Sequence, residues 1–268
     1  MALSTITLTA SMRANVLALQ ENQKLFENTQ NRLATGKKVN TALDNPISYF
    51  AAKSYTDRAN DLASLKDNMN EAIQTVQAAN NGISAITDLI AQAKSIANSA
   101  LATTDTTAKS NYSVQFNAVL SQIDNIAYNA SYRGNNLISN SSLTVSFSST
   151  TTDYLRITGF TASTAATGLN VSGVTSVWAT DPTSSLDAAT TSLRTQSQSM
   201  ASNLAIVNTR LDFTNNMINT LQKGADNLTL ADMNEEGANL LMLQTRQALG
   251  TTALSLASQQ AQSVLRLF

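Results

Sequence analysis

The sequence predicts a mainly α-helical protein: an elongated antiparallel coiled-coil rod of long helices from both chain halves, with a small β-hairpin region in the middle. Three observations predict it. Only two prolines, Pro46 and Pro182, punctuate 268 residues. Apolar residues recur at alternating spacings of three and four over long segments, the pattern of a helix with one apolar seam. One such segment, from Pro46 to about Leu101 with only Gly82 as a weak point, would measure roughly 80 Å as a helix, too long for a compact body.

The first seam is Leu8, Met12, Val16, Leu19, Gln23, Phe26, Gln30 and Leu33, with Gln at two seam positions; Gly36 ends it. "LDNPISYF" opens the second helix. Asp44 or Asn45 can cap its free N–H groups, and Pro46 suits the first helical position because it has no N–H to lose. A third helix is expected over roughly 107–130.

From Ser141 to Ser184 the chain is dense in Ser and Thr and nearly uncharged. Leu143, Val145 and Phe147 alternate, as do Leu155 and Ile157, so two short strands forming a hairpin are expected. Trp178 reads as a local core residue. The seam resumes at Leu186, Ala189, Leu193, Ser197, Met200, Leu204, Val207, Leu211, Thr214, Ile218 and Leu221, and is expected to pair with the Pro46–Leu101 helix. Gly224 is expected to interrupt it. A last helix is expected to start near Thr229, with Asp232, Glu235 and Glu236 solvated in its first turns, where the dipole favours acids. Its stripe is Leu240, Leu243, Gln247, Gly250, Leu254, Ala257, Ala261, Val264 and Phe268.

Charged residues make up 13% of the chain, about half the usual ~25%, and the net charge is -1. Self-repulsion is weak, and no basic excess points to nucleic acid or an anionic membrane. Absence of Cys and His excludes thiolate or imidazole zinc sites and Ser-His-Asp or Cys-His catalysis. No catalytic, cofactor or metal site is assigned. The first twenty residues lack a basic region ahead of an apolar core, so they do not read as a signal peptide.

The terminal stripes raise a separate question. The last one persists to Phe268 with no Gly, Pro or cap to close it. Burying one Leu or Phe is worth ~1.5–3 kcal/mol, so each stripe needs cover. The two ends can cover each other within a chain or pack on other copies. Other copies are preferred, because a helix pair covers only one side of each helix.

"NRLATGKKVNTALDNP" at Asn31–Pro46 resembles the signature of bacterial flagellins through Arg32, Leu33, Gly36, Asn40 and Asp44. "SYRGNNLIS" at Ser131–Ser139 is similar to the flagellin turn through Gly134, Asn135 and Leu137, and "AANNGISAITDL" to a further flagellin stretch. The segment from Ala231 to Phe268 resembles the flagellin C-terminus. Arg133 stands where Asn is common, and Asn45-Pro46 replaces Asp-Ala. These choices and the short middle resemble the α-proteobacterial branch.

The resemblance implies a secreted, extracellular structural subunit of the flagellar filament that transmits motor torque and is not an enzyme. Terminal helices at 1–45 and 225–268 would form the filament's inner core. A rod domain at 46–140 and 185–224 would carry an outer Ser/Thr-rich region at 141–184, with O-linked sugar on its hydroxyls. Self-assembly is expected to use Leu8, Met12, Val16, Leu19, Phe26, Leu33, Leu254, Ala257, Ala261, Val264, Leu265 and Phe268. The implied partners are other copies, the hook-associated junction and cap proteins, the export apparatus and a secretion chaperone; no nucleic acid and no membrane. A hook–filament junction protein, sharing the terminal helices, is the alternative. Weak detection by the animal Toll-like receptor is also implied, because Gln92 and Ser95 in "IAQAKSI" replace an Arg and a Glu.

Overall fold

Asn45 and Pro46 start the longest helix in the way their chemistry suggests: the Asn45 Oδ1 accepts from the Ser48 N–H at 3.1 Å, and Pro46 takes the first helical position. In the computed structural model, residues 10–148 and 152–265 are described. Among them the elements are α1 Ala10–Thr35, α2 Pro46–Ala102, α3 Thr106–Asn129, β1 Ser142–Ser146, β2 Tyr154–Thr158, α4 Thr183–Thr229 and α5 Met233–Leu265. The chain is mainly helical, with helices of its two halves packed together and a small antiparallel sheet between them in sequence. It divides into two compact units, Met1–Asp57 with Leu221–Phe268, and Arg58–Thr220.

The larger unit has one continuous core. Along α2, Met69, Ala72, Val76, Ala79, Ile83, Ile86, Ile90, Ala93, Ala97 and Ala100 are all buried, at strictly alternating spacings of three and four. Leu186, Ala189, Leu193, Met200 and Val207 of α4 join the same cluster, as do Phe116, Leu120 and Ile123 of α3. The polar seam position Ser197 donates to the Asn80 Oδ1 at 2.9 Å. Gly82 does not interrupt α2. A Cβ there would fall 2.7 Å from the Ile138 Cδ1 and 2.8 Å from the Ala130 Cβ, so only Gly allows this close approach.

The link from α3 to β1, residues 130–141, contains a two-residue turn. Tyr132 and Asn135 exchange backbone hydrogen bonds around Arg133 and Gly134, both left-handed at φ 47° and 84°. That is the type I′ geometry, which favours Asn-Gly. Asn136 then closes the end of α3. Its Nδ2 donates to the Ala127 and Tyr128 carbonyls, and its Oδ1 accepts from the Ile138 N–H.

The Ser/Thr-rich region folds onto the same core. β1 and β2 pair in register Leu143↔Ile157 and Val145↔Leu155, with Val145 and Ile157 buried. The loop beyond them is tied down by side chains. Asn117 makes two bonds to the Val174 backbone, and Asp124 accepts from the Thr164 N–H and hydroxyl. Trp178 packs edge-on to Phe116, with ring centroids 5.5 Å apart, and its Nε1 donates to the Lys109 carbonyl. It is the core residue the sequence suggested.

Three sequence expectations need correction. Gly224 does not interrupt α4, which continues to Thr229. Gly in a helix interior costs only ~1 kcal/mol, and buried Ala225 beside it helps hold the helix together. The last helix begins at Met233, not near Thr229. Asp232 is its cap, accepting from the Asn234 and Glu235 N–H groups. Glu235 is solvated, but Glu236 is buried.

Candidate self-assembly surface

The terminal unit is built around α1 and α5. Gly36 ends α1 in the left-handed conformation (φ 70°), with its N–H bonded to the Arg32 carbonyl at 2.8 Å. The chain then runs beside the α4–α5 link. Lys38 and Val39 N–H groups both donate to the Thr229 carbonyl, and Ala231 N–H donates to the Gly36 carbonyl. Asp44 staples the following turn, its carboxylate accepting from the Asn40 and Thr41 N–H groups and the Thr41 hydroxyl. Those backbone bonds, Thr41 first, hold its pKa below the usual carboxylate value. The signature residues Arg32, Asn40 and Asp44 line an open polar hollow of about 510 Å³ with Lys37 and Lys38.

α1 and α5 pack along their length. From α5, Leu243 is buried, and Leu240, Gln247, Gly250, Leu254 and Ala257 are half-buried, the stripe read from sequence. From α1, Met12, Asn22 and Thr29 are buried, while Leu19, Phe26 and Leu33 are half-buried. The seam expected at Gln23 and Gln30 is therefore off by one at its polar steps; both Gln are exposed. Spacings of three-then-four and four-then-three share Met12, Leu19, Phe26 and Leu33, so apolar residues alone do not separate them. Hydrogen bonding does. The Asn22 Nδ2 donates to the Leu243 carbonyl and the Gln247 Oε1, both at 3.0 Å.

At the other end of the pair, Arg32 meets buried Glu236 at 2.9 Å. The second carboxylate oxygen of Glu236 is buried without a partner among the described residues. A buried carboxylate is costly unless paired, so this contact fixes the pairing of α1 with α5. Asn22 was missed and Glu236 was read as solvated because a polar residue in or beside a seam reads as surface until its partner is known.

Of the residues expected to serve self-assembly, Met12, Val16, Leu19, Phe26, Leu33, Leu254 and Ala257 lie buried or half-buried along this helix pair. Ala261, Val264 and Leu265 lie on the last turns of α5. Leu8 and Phe268 fall outside the described residues. Other apolar side chains face outward: on α5, Leu241 is 66% exposed, Met242 45%, Leu249 66% and Leu256 56%. Met242, Leu249 and Leu256 are seven apart, forming a second stripe beside the seam. After Glu236 the described part of α5 carries a single charge, Arg246. Leu17 and Leu25 are exposed on α1. Gln92 and Ser95 of α2 are exposed as well. No described helix is long and apolar enough to cross a membrane.

Two family models match the chain. The bacterial flagellin N-terminal helical region covers residues 3–142, and the bacterial flagellin C-terminal helical region covers 186–268. The chain is 28% identical over 272 residues to flagellin FljO of Caulobacter vibrioides, spanning 100% of both chains. It is 27% identical to a flagellin of Brucella melitensis, over 99% of each. Flagellin A of Rhizobium meliloti is 38% identical over 85 residues, 32% of this chain and 22% of the relative. Likeness to flagellins over the whole length, and not at the ends alone, gives no preference to a junction protein. The chain belongs to the bacterial flagellin family and is a structural subunit of the flagellar filament.

Proposed function

We propose that neighbouring subunits pack on the outer face of the α1/α5 pair, chiefly on the stripe Met242, Leu249 and Leu256. The observation that carries this reading is a nearly uncharged helix with a second row of exposed apolar side chains after its first row is already used within the chain. Monomeric proteins seldom leave such a row wet. The seam residues, Met12 to Leu33 and Leu254 to Ala257, then hold each subunit's pair together, and Leu8, Ala261, Val264, Leu265 and Phe268 extend the contact to other copies. The terminal pair lines the filament's inside, the rod residues 46–140 and 185–224 support it, and 141–184 faces outward with sugar on its hydroxyls. The chain leaves the cell through the export apparatus with a secretion chaperone, meets the junction and cap proteins, and has no catalytic role.

Leu249→Asp tests this. A carboxylate in an apolar contact costs several kcal/mol at every interface. The monomer should keep its helical circular dichroism and cooperative melt, because Leu249 is outside the seam, while filament growth stops. Normal filaments would remove the stripe from the assembly surface.

A further inference from the structure

The terminal unit has another apolar patch, apart from the α5 stripe. Leu43, in the turn before α2, is 95% exposed; Ile47 and Phe50, on one face of the first turns of α2, are 85% and 63% exposed. Nearby charges do not compete for this surface. The Asp44 carboxylate is folded back onto its own turn, and Lys53 is paired with Asp57. Three large apolar side chains this exposed, and this close together in the chain, mark a contact surface.

We infer that this patch receives the Met242–Leu249–Leu256 stripe of the next copy of the chain. The inference rests on the role proposed above for that stripe. Three observations select this occupant. A filament subunit has copies of itself as neighbours. Both surfaces are apolar and exposed. The third is an axial offset. α5 starts at Met233, beside the backbone ladder that leads into the Leu43 turn. Met242 and Leu256 lie roughly 14 Å and 35 Å along α5 from that start. A patch that met itself would close a pair about a two-fold axis. A patch that meets a stripe displaced along the helix gives an open, head-to-tail series.

The chain has no cysteine, so single thiols report the pairing directly. Ile47→Cys and Leu249→Cys copies are mixed in equal amounts, polymerised and treated with a short bismaleimide. A covalent dimer is expected from the mixture and not from either variant alone. A dimer from Ile47→Cys alone as strong as that from the mixture would overturn the pairing, as would filaments of normal density without any dimer. Independently, the double variant Ile47→Ser, Phe50→Ser should keep the monomer's melt and raise the critical concentration for growth at least tenfold; an unchanged value overturns the inference. Failure of Leu249→Asp to block growth would sink the underlying reading. Loss of the 47–249 link alone sinks only the pairing.

Discussion

Gly237 and Gly250 lie on one helix and carry opposite expectations. A Cβ at Gly237 meets nothing within 4 Å, whereas one at Gly250 falls 2.6 Å from the Leu19 Cδ2 and 3.2 Å from its Cγ. Gly237→Ala should therefore stabilise by about 0.5–1 kcal/mol, through lower backbone entropy in the unfolded chain. Gly250→Ala should destabilise by about 1–3 kcal/mol, because Leu19 must leave its place in the seam. Thermal melts of the two variants decide it; movement in the same direction would show that α1 does not approach α5 at Gly250. Arg133 offers a second case. Its left-handed backbone costs ~1–2 kcal/mol for most side chains, and Asn bears it best. Arg133 pairs with Glu71, but both side chains are well exposed, which limits that contact to ~0–1 kcal/mol. Arg133→Asn should raise the melting temperature slightly, and a fall would mean that the ion pair outweighs the strain.

At the scale of elements, the turn between α1 and α2 depends on one carboxylate. Asp44 accepts from two N–H groups more strongly when ionised than when protonated, which is why its pKa is lowered. The sign follows: a depressed folded pKa gives stabilisation that is complete above the ordinary value of 3.8 and is lost as pH falls through the lower folded value. Amide resonances of Asn40 and Thr41 should therefore hold steady down to about pH 4 and shift together below it. In Asp44→Asn that shift should vanish. Its persistence would assign the transition to another group. The helices themselves depend less on single charges. α2 carries a continuous buried row from Met69 to Ala100, and Gly82 sits inside that helix without breaking it; Gly224 sits in α4 between buried Ile218 and Ala225.

At the scale of the whole molecule, each unit has its own organisation: a three-helix core with a packed hairpin in one, a paired terminal-helix seam in the other. The hairpin unit leaves Ser172, Thr175, Ser176 and Thr180 exposed, whereas Thr164 is engaged by Asp124. If O-linked sugar hydrates this surface, peptides covering 172–180 from native filaments should exceed their calculated masses by sugar-sized steps. Unmodified masses throughout 141–184 would remove that expectation.

The sequence by itself determined the helices, the hairpin and the family, because each rests on local periodicity or on a contiguous motif. Alternation at 143–147 and 155–157 reads as a strand pair, and β1 and β2 pair. The three-four row of α2 can only be a seam, and the Arg32–Asp44 and Gly134–Leu137 stretches are legible as strings. Only the tertiary structure decided which polar residues belong inside. Asn22 and Gln23 are one step apart on the same helix and both bond to Gln247; the choice between them is made by the Leu243 carbonyl, more than two hundred residues away, which bonds to Asn22. Glu236 looks like any acid at a helix start until Arg32 lies against it. Which apolar stripe on α5 is already used within the chain, and which is left for a neighbour, is likewise invisible in one dimension. Periodicity records that a face is apolar, but burial depends on what the rest of the chain brings to it.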